Sequence, residues 1–434
     1  MIAKALILPA ITMLQIQQLR DEKEKIINRL AKRGVDFSEL VNDALQTDDQ
    51  RRKIQVELDG VNAEMNSISK EIGVLFKQGK REEAEVLKGK TSELKGRSKD
   101  LDTQLGQAED SLRDLLYQIP NSPHNSVPEG KNEADNKTVS HSGEKPELEQ
   151  SIPHWELAAK YDLIDFELGV KITGAGFPVY KGKGARLQRA LINWFLDKAR
   201  DNGYTEIIPP IMVNEASGIG TGQLPDKEGQ MYHVTGDNLY VIPTAEVPIT
   251  NIYRDVILDE GDFPMKNCGY TPCFRREAGS YGKHVRGLNR LHQFDKVEIV
   301  QIEHPDKSYE TLENMSNYVQ GLLQELGLHY RVLLLCGGDT SFASAMTYDM
   351  EVWSGAQERW LEVSSISNFE SFQANRLKLR FKTKEGKKQL AHTLNGSALA
   401  LPRIVAALLE NNQTSEGIIV PEVLRPYCGF DIIN

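Results

Sequence analysis

From Ile54 the apolar positions fall into a heptad. Ile54, Leu58, Val61, Met65, Ile68, Ile72 and Leu75 are spaced alternately four and three apart, the seam of a coiled-coil helix. The pattern stops around Lys77-Gln78-Gly79-Lys80-Arg81. It restarts with Ala84, Leu87, Thr91, Leu94, Ser98, Leu101, Leu105, Ala108, Leu112 and Leu115. Two long heptad runs joined by a short glycine-containing connection predict an antiparallel helical hairpin over about residues 48–117. Roughly thirty residues per helix at ~1.5 Å each give an arm on the order of 50 Å. The small or polar seam residues Ala84, Thr91 and Ser98 predict a thin, modestly stable distal half.

Ile119-Pro120-Asn121-Ser122-Pro123 ends the helical pattern, which places the end of an N-terminal domain at residue 120. Residues 121–151 are rich in Asn, Ser, Pro, Glu and Lys and poor in large apolar residues, the composition of a linker. Residues 152–434 are repeat-free and mix helical with strand periodicity. Arg186 to Asn202 reads as a helix ended by Gly203, followed by a strand-like run from Tyr204 closed by Pro209-Pro210. Lys296 to Val300 alternates as a strand with Glu298 among valines. Tyr348 to Trp353 and Trp360 to Ser365 read as two strands joined by a polar turn. Each of these patterns, taken alone, is ordinary packing.

A length of 434 residues allows two or three domains, and 40% hydrophobic with 26% charged residues is the make-up of an ordinary globular protein. The net charge of −10 excludes a global basic field for nucleic acid, so any RNA contact has to come from a local patch. Such a patch exists: Lys70 to Lys99 holds nine Lys/Arg against five Asp/Glu. Lys77, Lys80, Arg81, Lys88 and Lys90 are the candidate phosphate contacts, although a solvated coiled-coil face carries charge of the same kind. Cys268, Cys273, Cys336 and Cys428 form no CxxC or Cys/His pattern, which predicts reduced thiols in a cytosolic protein and no zinc site. No run approaches the ~20 apolar residues of a membrane span. Residues 1–12 read as either an extension or a start-site artefact ahead of a charged helix that starts near Met13.

The chemistry concentrates between Phe274 and Phe294. Phe274-Arg275-Arg276-Glu277 opens the stretch, Arg290-Leu291-His292-Gln293-Phe294 closes it, and Gly279, Gly282, Lys283, His284, Arg286 and Gly287 lie between. A strand, a polar turn and a returning strand would bring two arginines, a carboxylate and an aromatic face to one mouth. That set suits a nucleoside triphosphate: guanidinium forks for phosphate oxygens, a ring for the base, a carboxylate for its exocyclic amine. A surface hairpin with ordinary ion pairs would use the same residues. Thr244-Ala245-Glu246 fits a helix start, with Thr244 as cap and Glu246 toward the dipole. A glutamate buried in a strand, as Glu298 would be, is either paired structurally or kept for a cation or hydroxyl.

The Phe274–Phe294 stretch closely resembles motif 2 of the class II aminoacyl-tRNA synthetases, and RGLNRLHQFDKVEIV resembles their seryl branch. The helix–Gly–strand–Pro unit at 186–210 is similar to motif 1, which implies a homodimer. Asn395-Gly396-Ser397-Ala398-Leu399-Ala400-Leu401-Pro402-Arg403 is similar to motif 3, with Ala398 and Pro402 standing where glycine is common. Pro402 would either kink or start the following helix, which bears on the aim of Arg403.

The resemblance covers nearly the whole chain from Met13. It implies an α+β fold: an N-terminal antiparallel coiled-coil hairpin that binds tRNA, then a class II catalytic domain at 152–434 built on a mixed, largely antiparallel sheet flanked by helices. It further implies a loop at Thr221–Pro225 over the site. Thr244, Ala245, Glu246, Arg275, Glu298 and Ser397 would bind serine. Arg275, Arg276, Glu277, Arg290, Leu291, Phe294, Glu362, Val363, Ser364, Ser365 and Arg403 would bind ATP, with Glu362 also a ligand for Mg²⁺. Arg275, Glu362 and Arg403 would be catalytic. The implied reaction makes seryl-adenylate and then charges tRNA(Ser), with tRNA(Sec) a further acceptor only in an organism that has one. A ligase charging a carrier protein lacks such an arm, and a non-catalytic coiled-coil protein has no use for intact Arg275, Glu277, Glu298, Glu362 and Arg403.

Overall fold

The structure is a computed structural model that describes residues 14–226, 229–277 and 285–434. Residues 1–12 and loop residues Gly279, Gly282, Lys283 and His284 thus lie outside the described residues. The chain divides into two compact units, Met1–Asn28 with Asp36–Pro120, and Arg29–Val35 with Asn121–Asn434.

The first unit is dominated by α1 (Ser38–Lys77) and α2 (Arg81–Leu116), the expected hairpin. Leu58, Val61, Ile68, Leu94 and Leu101 are buried between them, with Ile54, Met65, Ile72, Leu87 and Leu105 packed alongside. The turn follows from one glycine. Gly79 has φ +77°, and the Lys80 and Gly79 N–H groups donate to Leu75 O (3.0 Å) and Phe76 O (3.2 Å), a Schellman stop. The polar seam is satisfied internally, since Ser98 Oγ donates to Asn62 Oδ1 across the hairpin at 2.9 Å. Two details differ from the sequence pattern. α1 begins ten residues before the expected arm, and the last seam residue of α2 is Leu116, with Leu115 only half-buried. A helix of 3.6 residues per turn drifts off a strict heptad over this length.

The second unit is built on eight strands: β1 (Lys137–Ser142), β2 (Thr205–Glu206), β3 (Met265–Phe274), β4 (Gln293–Glu303), β5 (Tyr330–Leu334), β6 (Met346–Ser354), β7 (Arg359–Asn368) and β8 (His392–Ala400). Their order is β1-β5-β6-β7-β8-β4-β3-β2. Every neighbouring pair is antiparallel except β2 with β3, which gives the mixed, largely antiparallel sheet expected. Helices α3 (His154–Lys160), α4 (Gly182–Asp201), α5 (Glu246–Asn251), α6 (Ser308–Glu325) and α7 (Leu401–Asn411) accompany it. Leu187, Leu191 and Phe195 of α4, Leu312 and Val319 of α6, and Ile404 and Leu408 of α7 share one core with Val297, Ile299 and Ile366 of the sheet. α4 ends as read: Gly203 has φ +81°, and Tyr204 N–H donates to Ala199 O at 3.1 Å. The strand after it is only two residues long, because Pro209 and Pro210 have no N–H to offer a ladder.

Residues 121–151 are not a linker. Lys137–Ser142 is the edge strand β1, paired antiparallel with β5, and Asn121, Ser122 and Val127 are buried. Asn121 Nδ2 donates to Ala343 O (2.9 Å) and Phe369 O (2.8 Å). Composition misleads here because an edge strand is held by backbone hydrogen bonds along one side and needs little apolar side chain.

Candidate active site

β3 and β4 bring the two ends of the Phe274–Phe294 stretch together, with Phe274 opposite Gln293 and Cys273 opposite Phe294. The returning strand starts at Gln293, so Arg290, Leu291 and His292 lead into it. The Arg275 guanidinium lies over the Phe294 ring at 5.2 Å, so one face of that aromatic already carries a cation. Glu277, at φ +47°, forms an ion pair with Arg290. The carboxylate read for an adenine amine therefore has a cationic partner in the structure, the ion pair a surface hairpin would also make. Arg276 is exposed, its backbone N–H donating to Gln230 O at 2.8 Å. Leu291 is buried in the core, which leaves only its main chain to face a ligand.

Two carboxylates converge behind this mouth. Glu298 on β4 has no solvent exposure. Its Oε2 is 2.6 Å from Lys296 Nζ and accepts from Thr244 Oγ1 at 3.3 Å, while Oε1 accepts from Asn395 Nδ2 at 3.0 Å. The same Asn395 amide donates to Glu246 Oε2 at 2.9 Å, and Gln373 Nε2 donates to Glu246 Oε1 at 2.7 Å. Thr244 Oγ1 accepts the Glu246 N–H at 3.2 Å, the local role read for it, although the helix proper starts after Ala245. Burial, followed by the charge of Glu298, pushes the Glu246 carboxyl up to about 7 from its usual 4.5; Gln373, Lys296 and Arg275 pull the other way. Two acids with one neighbouring ammonium leave a site with capacity for one more cation. Ser397 is paired opposite Glu298, and its carbonyl accepts from Ser364 Oγ at 2.6 Å. Ala245 faces a core that includes Ile249 and Leu377.

On β7, Glu362 is half-exposed and its neighbour Val363 is buried in the core. Arg403 Nη1 is 3.6 Å from Glu362 Oε2 and donates to Glu362 O at 2.8 Å; its Nε donates to Asn289 O at 3.0 Å. Pro402 starts α7 rather than kinking it: it stands in the first turn after Ala400, where a missing N–H costs nothing. Opposite Ser365 across the ladder, Asp349 is half-buried, and its Oδ1 is buried with no partner. Its burial and the nearby Glu362 charge hold its carboxyl well above the ordinary range. Among the described residues no three His, Cys, Asp or Glu side chains converge as a metal cage. One accessible carboxylate with an orphaned carboxyl oxygen nearby does fit Mg²⁺, which takes one or two protein oxygens and leaves the rest to phosphate and water.

In the first unit all five candidate phosphate contacts are exposed. Three of them already have carboxylate neighbours: Lys80 with Glu83 (3.2 Å), Lys88 with Glu85 (2.5 Å) and Lys90 with Glu64 (2.8 Å).

Sequence reasoning missed four polar residues of the site. Lys296 was detectable, since it lies two positions before Glu298 on the same strand face. Asn395 sits in the motif 3 stretch but bridges both carboxylates only through the fold. Gln373 and Asp349 have no local signal.

Residues 232–412 match the family model of the tRNA synthetase class II core domain (G, H, P, S and T), and residues 13–123 match that of the seryl-tRNA synthetase N-terminal domain. The chain is 51% identical over 421 residues to the serine–tRNA ligase of Salinibacter ruber, covering 96% of this chain and 98% of that protein. It is 48% identical over 424 residues to the serine–tRNA ligase of Akkermansia muciniphila, covering 97% and 99%. The crystal structure of seryl-tRNA synthetase from Pyrococcus horikoshii complexed with ATP superposes with a TM-score of 0.89 at 34% identity, over 97% of this chain and 99% of that one. With both domain models matched in order and this identity holding from end to end, the chain belongs to the seryl-tRNA synthetase family.

Proposed function

We propose that this chain activates L-serine with ATP to seryl-adenylate, releasing pyrophosphate, and then transfers the seryl group to the 3′ end of tRNA(Ser). The observation that carries the residue assignment is the pair of buried carboxylates, Glu246 and Glu298, bridged by Asn395. A site with two carboxylates and polar groups from Thr244, Gln373 and Asn395 suits the ammonium and hydroxyl of a small polar amino acid. It discriminates by hydrogen bonds, so an analogue without the hydroxyl leaves buried polar groups unpaired.

In this reading Thr244, Glu246, Glu298 and Ser397, with the main chain of Ala245, hold serine. Arg275 holds its carboxylate against the α-phosphate and stabilises charge that develops in the in-line attack. Phe294 offers its ring to the base, and the main chain at Leu291, Val363 and Ser364 lines the nucleotide. Adenine takes Glu277 in competition with Arg290. Arg276 and Arg403 serve the outer phosphates. Mg²⁺ held by Glu362, with Ser365 and Asp349 behind it, would supply charge neutralisation at the phosphates. No side-chain nucleophile is needed, because the serine carboxylate and then the tRNA hydroxyl attack.

The arm, through Lys77, Lys80, Arg81, Lys88 and Lys90, reads the tRNA backbone. Ile208 supports a homodimer, since it is 89% exposed in the single chain immediately before Pro209. Work in the cytoplasm fits four thiols without disulfides. Among the described residues no helix is long and apolar enough to cross a membrane. The test is serine-dependent ATP–pyrophosphate exchange together with charging of tRNA(Ser), where exchange without charging of any tRNA would defeat the acceptor assignment.

A further inference from the structure

Helix α3 grips the exit of the motif 2 loop with two consecutive side chains. The Trp155 ring lies under the Arg286 guanidinium at 4.9 Å. His154, with no solvent exposure, accepts the Leu288 N–H on Nε2 at 2.8 Å. Gly287 passes between them at φ +68°, and a Cβ there would stand 2.3 Å from His154 Nε2, so only glycine lets the loop come this close.

The other ring nitrogen, Nδ1, is 2.7 Å from Glu410 Oε1 near the end of α7. Because Nε2 accepts, Nδ1 carries the proton and donates it. Glu410 is otherwise filled: Ser354 Oγ donates to Oε2, Gln357 Nε2 (3.0 Å) and the His154 N–H (3.0 Å) to Oε1. The ring of contacts closes through Asn289, whose Nδ2 donates to Gln357 Oε1 at 2.9 Å. Asn289 O in turn holds Arg403 Nε, and Arg290 follows it in the chain.

We propose that His154 is a positioning residue for the nucleotide half of the site. Its Nε2 fixes residues 288–290 by one buried backbone hydrogen bond, and that segment aims Arg290 and Arg403. Nothing in the ring touches Glu246, Glu298 or Thr244. The inference rests on the reading above, in which Arg403 serves the outer phosphates and Arg290 holds Glu277, the carboxylate for adenine. Arg403→Ala in the exchange assay tests that reading separately, through KM for ATP.

Two substitutions separate the two nitrogens. In His154→Asn the amide can stand near the Nδ1 position and keep the Glu410 contact, but it leaves the Leu288 N–H buried and unpaired. In His154→Gln the side-chain oxygen can reach the Nε2 position and accept that N–H. Pyrophosphate exchange should show KM for ATP raised at least tenfold in His154→Asn with KM for serine within twofold of wild type, and His154→Gln should recover most of the ATP affinity. Gln357→Met, which cuts the ring at a half-buried position, should raise KM for ATP several-fold in the same direction and covers the case of a poorly folding His154→Asn. Equal changes in both KM values, equal behaviour of Asn and Gln, or unchanged ATP affinity in Gln357→Met would each overturn the proposal in favour of simple packing.

Discussion

The Glu246–Glu298 pair makes serine affinity depend on pH in a way that can be worked out beforehand. In the ligand-free site Glu246 holds its proton up to about pH 7, against an ordinary value of 4.5. Its folded value is raised, so the folded chain binds the proton more tightly than the unfolded chain does. Stability from this group is therefore full below pH 4.5 and falls as pH rises to about 7. At ~1.4 kcal/mol per pKa unit the loss is about 3 kcal/mol. Serine, arriving as an ammonium, needs the ionised carboxylate and must displace the proton at low pH. Its KM in pyrophosphate exchange at saturating ATP should be flat above pH 7.5 and rise by about 25-fold on going to pH 5.5. KM for ATP, measured in parallel, should not follow it. In Glu246→Gln the serine KM should be higher at pH 7.5 and no longer change with pH. The same variant, neutral at every pH, should lose the fall in thermal stability that wild type shows as pH rises from 4.5 to about 7. A wild-type serine KM that varies by less than threefold over this range, or a Glu246→Gln enzyme that keeps the wild-type slope, refutes the reasoning.

Other expected outcomes are these. Glu298→Ala raises KM for serine by at least two orders of magnitude and KM for ATP little, because it also leaves Lys296 buried without its counter-charge; equal effects on both would make Glu298 a structural support. Arg275→Ala abolishes exchange while circular dichroism and sedimentation stay those of wild type, since the side chain is only half-buried and its ring contact is with Phe294; activity near wild type on folded protein would remove it from the mechanism. Replacing residues 63–97 by a short Gly/Ser turn keeps exchange, loses charging at dilute tRNA, and flattens the salt dependence of tRNA binding. Full-rate charging by the shortened enzyme would exclude the arm as the RNA-binding element.

The hairpin was legible because its signal is local and repeated: a heptad and one glycine define it over some seventy residues. Glu298, Glu362 and Arg403 were picked out as candidates because motif resemblance carries identity along the chain, and the fold sets Arg403 beside Glu362. Partners were not. Asn395 meets Glu246 only across 149 residues of sequence, and Arg290 meets Glu277 across 13 residues whose sequence does not specify the pairing. Val363, Leu291 and Ala245 illustrate the converse. A motif names a stretch, but the strand pleat and helix face decide which of its side chains turn into the core. β1 was hidden for a third reason, since backbone hydrogen bonding leaves no hydrophobic trace in a polar segment.

The two ends of the large sheet bear on how the protein behaves when crowded. At one end β1 breaks register between Thr138 and Ser140 and opens with an exposed lysine, Lys137. At the other, β2 offers a ladder two residues long before Pro209 and Pro210 interrupt it. A bulge, a charge and paired prolines are the devices that deny an incoming strand a flat template. Freshly made chains folding close together on the same messenger therefore find little at either border to zip onto, and misassembly through this sheet is suppressed by the edges themselves.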